Sequence, residues 1–387
     1  MNATESKEDR LFRESIREWM AEHLTGEFEA LRHANGLGSP GYTADLAKRW
    51  EQELAKGAWT GLSWPKTYGG RELSLAQQMI FHEVYVQCGG PGRLGHIGET
   101  LLAPTLMAYG TEALKNQFLP GILKGTTYWA QGYSEPGAGS DLAGVQTRAR
   151  QDPTTGEWVI DGQKVWTSWA HESDWMFVLA RCEAGSSRHH GLIFLLVPLK
   201  QPGITLQPIR QITGEAEFNE VFLDGARTAS SCVLGEPGQG WAVAMYLLQC
   251  ERGASTLGQQ AHFQNELNTL IQVAQKNGAM QQHDIRQRIA RAILGLQTLR
   301  YHALRTCGDN APARASSISK YTWSNWRRSL GELAMDVLGV EGDIQSTDAD
   351  QTALQRLWLV SRADTIYAGS NEIQLNLMAE RALQMPK

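Results

Sequence analysis

The sequence predicts an α+β protein in which helical segments flank a compact β unit. Three observations carry this. Residues from about 5 to 124 place side chains at helical spacing, as with Leu11, Ile16, Trp19 and Met20, and again with Leu75, Met79, Glu83 and Val86. From Thr126 to about Gly235 the pattern changes to short β-rich runs separated by turns. After Gly235-Glu-Pro-Gly-Gln-Gly240 the helical pattern returns and continues to the end. The expected domains are residues 1–124, all α; 125–235, a small β-barrel or sandwich; and 236–387, helical.

Within the first segment, Gly36-Leu-Gly-Ser-Pro40, Tyr68-Gly-Gly70 and Gly89-Gly-Pro-Gly92 interrupt the helices. The clearest strands of the middle segment are Trp158 to Gly162, Trp175 to Ala180, Leu192 to Val197 and Asn219 to Leu223. Asp152-Pro-Thr-Thr-Gly156 and Asp161-Gly162 have the residues that turns between strands require. No internal repeat or low-complexity tract interrupts this order.

The chain of 387 residues is 42% hydrophobic and 20% charged, an ordinary composition for a globular protein. A net charge of −5 argues against a nucleic-acid partner, which calls for a basic excess. The cysteines Cys88, Cys182, Cys232, Cys250 and Cys307 are scattered without metal-ligand spacing and read as reduced thiols in a cytoplasmic protein. His96, His171, His189 and His190 also lack ligand spacing, so no metal is expected. The first twenty residues have no apolar core of a secretory signal, and no apolar run approaches the ~20 residues of a membrane span. Gly191 to Pro198 is a buried strand.

Chemistry concentrates in a few motifs. Ser134-Glu-Pro-Gly-Ala-Gly-Ser-Asp141 follows a predicted strand, Thr127 to Gly132, and its glycines permit close backbone approach to a ligand. Alone, such a turn could equally be a strand connection. About thirty residues later stands Lys164-Val-Trp-Thr-Ser168, and near the C-terminus Ile366-Tyr-Ala-Gly-Ser-Asn-Glu-Ile-Gln374. With Tyr246-Leu-Leu-Gln-Cys-Glu-Arg-Gly253, these segments and the helix–β–helix order resemble the acyl-CoA dehydrogenase family over nearly the whole chain.

That resemblance implies a β-barrel between two helical domains, the second a four-helix bundle, with FAD as cofactor. It places Gln131, Tyr133, Ser134, Gly139, Ser140, Trp166, Thr167, Ser168, Gly339, Ser370 and Glu372 at the FAD site. Trp166 would cover the ring system and the short hydroxyls would meet its polar edge. Ser140, Arg252 and Gly369 would contact an acyl-CoA substrate. Two cofactor motifs depart from the family pattern. An expected Arg-x-x-Phe-Gly reads His283-Asp-Ile-Arg-Gln-Arg-Ile-Ala290, and an expected Gln-x-x-Gly-Gly-x-Gly reads Asp336-Val-Leu-Gly-Val-Glu-Gly342. An acid at 336 is unfavourable near a pyrophosphate unless a cation compensates it.

In many family members the position of Ala368 is a glutamate that removes the substrate α-proton. Alanine keeps the backbone N–H expected to serve the oxyanion hole and loses only the carboxylate. On a helix starting near Gly240, Trp241, Ala244, Leu248, Glu251 and Ser255 fall on one face. Glu251 on this stripe is either salt-bridged to a nearby arginine or functional. Isovaleryl- and long-chain-type relatives resemble this chain in carrying Glu-Arg here, which makes Glu251 the expected base. An apolar acyl pocket would raise its pKa above about 4.3. The implied reaction is α,β-dehydrogenation of an acyl-CoA, branched, cyclic or bulky, to the trans-2-enoyl thioester, with an electron-transfer flavoprotein as acceptor. Expected assemblies are a homotetramer or an α2β2 heterotetramer with a related chain, as in relatives acting on steroid-type CoA esters. A subunit without independent activity, or an oxidase or monooxygenase of the same superfold, are the alternatives.

Overall fold

The computed structural model describes residues 6–36, 39, 41–250, 255–306 and 318–386. It forms two compact units, Met1–Ser255 and Thr256–Lys387.

In the first unit, helices α1 (Lys7–His23), α2 (Ala44–Lys56), α3 (Leu75–Gln87), α4 (Ala103–Tyr109) and α5 (Glu112–Leu123) precede the strands. Side-chain caps start several of them. Ser6 and Thr111 accept from backbone N–H groups three residues on, and Ser74 with Gln77 forms a reciprocal capping box. The predicted faces need rotation. Ile16 and Met20 are buried but Leu11 is exposed, and α3 buries Ile80, Phe81, Val84 and Tyr85 rather than Leu75, Met79 and Glu83. Glu83 instead pairs with Arg13 at 3.0 Å, with both side chains keeping part of their surface in contact with solvent.

The strands are β1 (Trp129–Gly132), β2 (Arg148–Gln151), β3 (Trp158–Ser168), β4 (Trp175–Arg181), β5 (Leu192–Pro198), β6 (Ile204–Ile209) and β7 (Phe218–Thr228). They make one curled seven-stranded sheet in the order β1-β4-β2-β3-β7-β6, with β5 also paired to β4. One face buries Ile160, Val178, Ile193, Val197, Val221 and Leu223 against each other. On the other, Phe177 and Phe194 join Leu106, Phe118 and Leu247, so helices close over the sheet. Strands β2 and β6 were not anticipated. β2 reads Arg-Ala-Arg-Gln with a single buried residue, and β6 carries Pro208, which only an edge strand tolerates.

Helix α6 (Gly240–Cys250) belongs to this first unit and packs on β5 and α4. It buries Gly240, Val243, Ala244 and Leu247, with Trp241 and Leu248 partly buried beside them. The buried stripe is therefore offset from the face drawn through Trp241, Ala244 and Leu248. Gly240 explains the fit, because a Cβ there would lie 2.6 Å from the β5 backbone.

The second unit contains α7 (Ser255–Lys276), α8 (His283–Thr306), α9 (Ser319–Leu338) and α10 (Ala349–Asp364), followed by the short α11 (Asn371–Leu377). Leu267, Leu270, Ile289, Leu299, Leu330, Leu333, Val337 and Leu357 form its core. Among the described residues, no helix is long and apolar enough to cross a membrane, and no cluster of His, Cys, Asp or Glu could hold a metal.

Candidate active site

The first unit brings two of the predicted segments together. β1 carries half-buried Gln131 and leads into buried Tyr133 and half-buried Ser134. The Ser134 carbonyl accepts the Val165 N–H at 2.9 Å, so the turn after β1 and the end of β3 are neighbours. Gly137 and Gly139 have open space where a side chain would stand, and Ser140 is exposed beyond them.

Strand β3 pairs with β7 with one register shift between Ile160 and Gly162, continues to Lys164 opposite Val221, then bulges, and resumes with Thr167 opposite Asn219. Trp166 lies in this bulge. Its backbone is left-handed (φ 60°), uncommon for a bulky residue, and the residue is 56% exposed although it belongs to a strand. Phe218 supports the indole edge-on at 6.0 Å between ring centres. Thr167 points the other way and is fully buried, and its Oγ1 has no partner among the described residues. Asn219 donates to the Thr167 carbonyl at 3.1 Å, and Ser168 is half-buried at the strand end.

Beneath these segments is a buried ion pair. Lys164 is completely buried, and its Nζ donates to Glu135 Oε1 at 2.8 Å and to the carbonyls of Tyr133 at 3.1 Å and Leu179 at 2.8 Å. Glu135 also accepts the N–H groups of Gln146 at 2.6 Å and Thr147 at 2.9 Å. Burial lowers the Lys164 ammonium to about 8 in spite of its partner. For Glu135 burial acts upward, but the Lys164 charge and the hydrogen bonds outweigh it and hold the carboxyl below its ordinary value.

The second unit holds the remaining predicted positions. Gly339 ends α9 with a positive φ of 59° and open space beside it. Three residues earlier, Asp336 does not present a lone charge, because Arg288 pairs with it at 2.6 Å. Both partners come from the two motifs that depart from the family pattern.

Ala368 is also left-handed (φ 52°), and Gly369 follows at 83°. The Gln374 amide reaches the carbonyls of both at 3.4 Å. On the other side, Tyr367 Oη donates to Asp364 at 2.9 Å, and Arg327 bridges buried Asp364 and Glu266. Burial raises the Asp364 carboxyl above its ordinary value even beside Arg327. Ser370 caps α11 by accepting the Ile373 N–H. Glu372 stands in the first helical turn, its carboxyl held low by its own backbone N–H and the Ser370 hydroxyl. Among the described residues the Ala368 N–H has no acceptor. Glu251 and Arg252 lie outside the described residues.

Models of the acyl-CoA dehydrogenase N-terminal, middle and C-terminal domains match residues 6–126, 130–226 and 238–383. The chain belongs to the acyl-CoA dehydrogenase family. Among its relatives in that family, acyl-CoA dehydrogenase IpdE1 of Mycobacterium tuberculosis is 51% identical over 381 residues, covering 97% of each chain. IpdE1 of Mycolicibacterium smegmatis is 49% identical over 388 residues, again covering 97% of each. The Tcur3481-Tcur3483 steroid ACAD superposes with a TM-score of 0.86 at 26% identity over the full length of both chains. A chain of the ChsE4-ChsE5 complex from Mycobacterium tuberculosis does so at 0.84 and 25%, also over the full length of both.

FAD is the cofactor of this family, and the residues of the first unit fit it. A partnerless buried hydroxyl at Thr167, an exposed indole on a strained bulge and a glycine turn with open space match a flat ring with a polar edge. Sequence reasoning assigned no role to Lys164, Glu135, Asn219 or the Arg288–Asp336 pair.

Proposed function

We propose that this acyl-CoA dehydrogenase acts on a bulky, ring-bearing acyl-CoA thioester of the steroid-derived kind, with Glu251 as base. The observation that carries the substrate class is the likeness to the Tcur3481-Tcur3483 steroid ACAD over the full length of both chains, while the 51% identity to IpdE1 over 97% of both chains supports the acyl-CoA dehydrogenase activity. Alanine at 368 adds to it, because the smaller side chain leaves room that a glutamate would fill.

In this reading Trp166, Thr167, Ser168 and Ser134 hold the flavin ring, with Gln131, Tyr133, Gly139 and Ser140 completing that side of the site. Gly339, Ser370 and Glu372 are the proposed contacts of the rest of the cofactor. Bound FAD supplies the acceptor for the hydride leaving the β-carbon. Glu251 takes the α-proton, and the Ala368 N–H donates to the thioester oxygen as charge develops there. Ser140, Arg252 and Gly369 position the CoA ester. An electron-transfer flavoprotein is the proposed electron acceptor and the cytoplasm the proposed location.

We further propose a heteromeric assembly with a related acyl-CoA dehydrogenase chain. Two of the similar structures are named as pairs of chains. Helix α8 exposes Ile293, Leu294, Tyr301 and Leu304, an apolar surface that favours being covered by such a chain. The Arg288–Asp336 pair supports the same reading, since these motif residues engage each other rather than presenting free groups to a pyrophosphate.

The test is to purify the chain alone and with a co-produced related chain. FAD per chain is read from the visible spectrum, and flavin bleaching is followed anaerobically with ring-bearing and straight-chain acyl-CoA esters. Bleaching is expected from the ring-bearing ester by the two-chain preparation. One FAD per chain in the single-chain preparation refutes the heteromer. Faster bleaching by straight-chain esters refutes the substrate class.

A further inference from the structure

We propose that Lys164 and Glu135 are positioning residues that hold the Trp166 bulge and the Ser134 turn in the arrangement that receives the flavin ring. The proposal rests on the reading that these two segments form the cofactor cradle. Neither side chain is placed in contact with cofactor or substrate.

The geometry carries the argument. Every group that Lys164 Nζ contacts in its own hydrogen-bond shell fixes a segment of the cradle or the strand behind it. Tyr133 O and Glu135 flank Ser134, and Leu179 O lies on the central strand β4. Lys164 is itself the last residue in register with β7 before the bulge. On the far side of the bulge, Asn219 fixes Thr167 through its carbonyl. The strained Trp166 backbone is therefore clamped on both flanks. Glu135 extends the clamp, because its carboxylate also gathers the Gln146 and Thr147 N–H groups and thus ties the start of the glycine turn to the chain that follows it.

Stability alone gives no reason to use these residues. A buried ion pair generally contributes no more than well-packed apolar side chains of similar volume, whereas in some proteins it specifies one geometry. A bulge that must aim an indole outward at a strained φ has a use for that specificity.

The test uses the purified holoprotein, with its partner chain if one is required. Lys164→Met combined with Glu135→Gln removes both charges together and leaves no unpaired ion. The expected result is a folded protein whose FAD dissociation constant rises about tenfold, roughly what one charge-assisted hydrogen bond is worth. At saturating FAD its visible flavin spectrum is also shifted. Should that variant fail to fold, Lys164→Gln combined with Glu135→Gln likewise leaves no unpaired ion and supplies an amide donor in place of the ammonium for the carbonyls of Tyr133 and Leu179. It is expected to show a smaller shift of the same kind. As a control for destabilisation, Ile193→Val removes one buried methylene from β5 without touching the clamp, and its spectrum should match wild type.

Wild-type affinity and spectrum in the folded variants overturn the proposal. So does an equal shift in Ile193→Val, which would make the effect one of general stability. Trp166→Ala separates the two readings. If it perturbs the flavin while the clamp variants do not, the cradle stands and the clamp falls. If it perturbs nothing, the cradle itself is wrong.

Discussion

Trp166→Ala is the most direct probe of the cofactor cradle. A fully buried indole covers about 150–250 Å². With 56% of Trp166 exposed, roughly 110 Å² is available to a ligand. At ~25 cal/mol per Å² the whole of that surface is worth about 2.8 kcal/mol, or roughly 100-fold in affinity. A planar ring covers only one face, which brings the expected loss to about 1.4 kcal/mol, near tenfold. Alanine inherits the left-handed backbone, so strain relief does not offset the loss; Trp166→Gly would relieve it and tests that separately. The assay is titration of flavin-stripped protein with FAD, followed by absorbance between 350 and 500 nm, an interval of about 150 nm that spans the flavin bands. Trp166→Phe should fall between wild type and alanine. An FAD affinity within twofold of wild type, or Phe worse than Ala, refutes the stacking role.

Glu251→Gln should slow anaerobic flavin bleaching by ~10²–10⁴-fold while leaving FAD content unchanged, and bleaching at the wild-type rate would remove Glu251 as the base. In Glu251→Gly with Ala368→Glu, part of the activity lost in Glu251→Gly alone should return. The rescue should favour straight-chain over ring-bearing esters in kcat/KM, and the absence of rescue in a flavin-loaded protein counts against a pocket shared by the two positions. The depressed Glu135 carboxyl has a pH consequence. Its contribution to stability is fully present above the ordinary value of 4.5 and is lost as pH falls through the lower folded value. Urea midpoints from pH 7 to 3 should therefore converge for wild type and Glu135→Gln at the acid end, and a constant gap across that range would contradict the assignment.

The fold was legible where periodicity and turn residues agree. Helix, β unit and helix follow from the change near Gly125 and the return after Gly240, and the strongly apolar β4 and β5 were readable for the same reason. β2 escaped notice because three of its four residues are polar and exposed, and β6 because proline counts against a strand unless it lies at an edge. The motif residues of the proposed cradle can be named from the sequence as residue types. Their geometry cannot: no periodicity announces a bulge between Lys164 and Thr167 or a left-handed tryptophan. Charge partners far apart in sequence were hidden as well. Glu135 finds Lys164, Arg288 finds Asp336, and Arg327 finds both Glu266 and Asp364 only once the chain has folded.

The loop at Ala368 separates backbone shape from side-chain identity. A non-glycine residue in the left-handed region costs roughly 1–2 kcal/mol. Here the conformation is imposed from outside the residue, by Tyr367 on Asp364 and by Gln374 on the carbonyls of Ala368 and Gly369. None of those contacts uses the side chain at 368. The position can therefore exchange one side chain for another while the peptide stays where it is. If Glu251 is the base, as proposed, its move to another helix required no rebuilding of the loop, because the amide at 368 keeps its place whichever side chain the codon specifies.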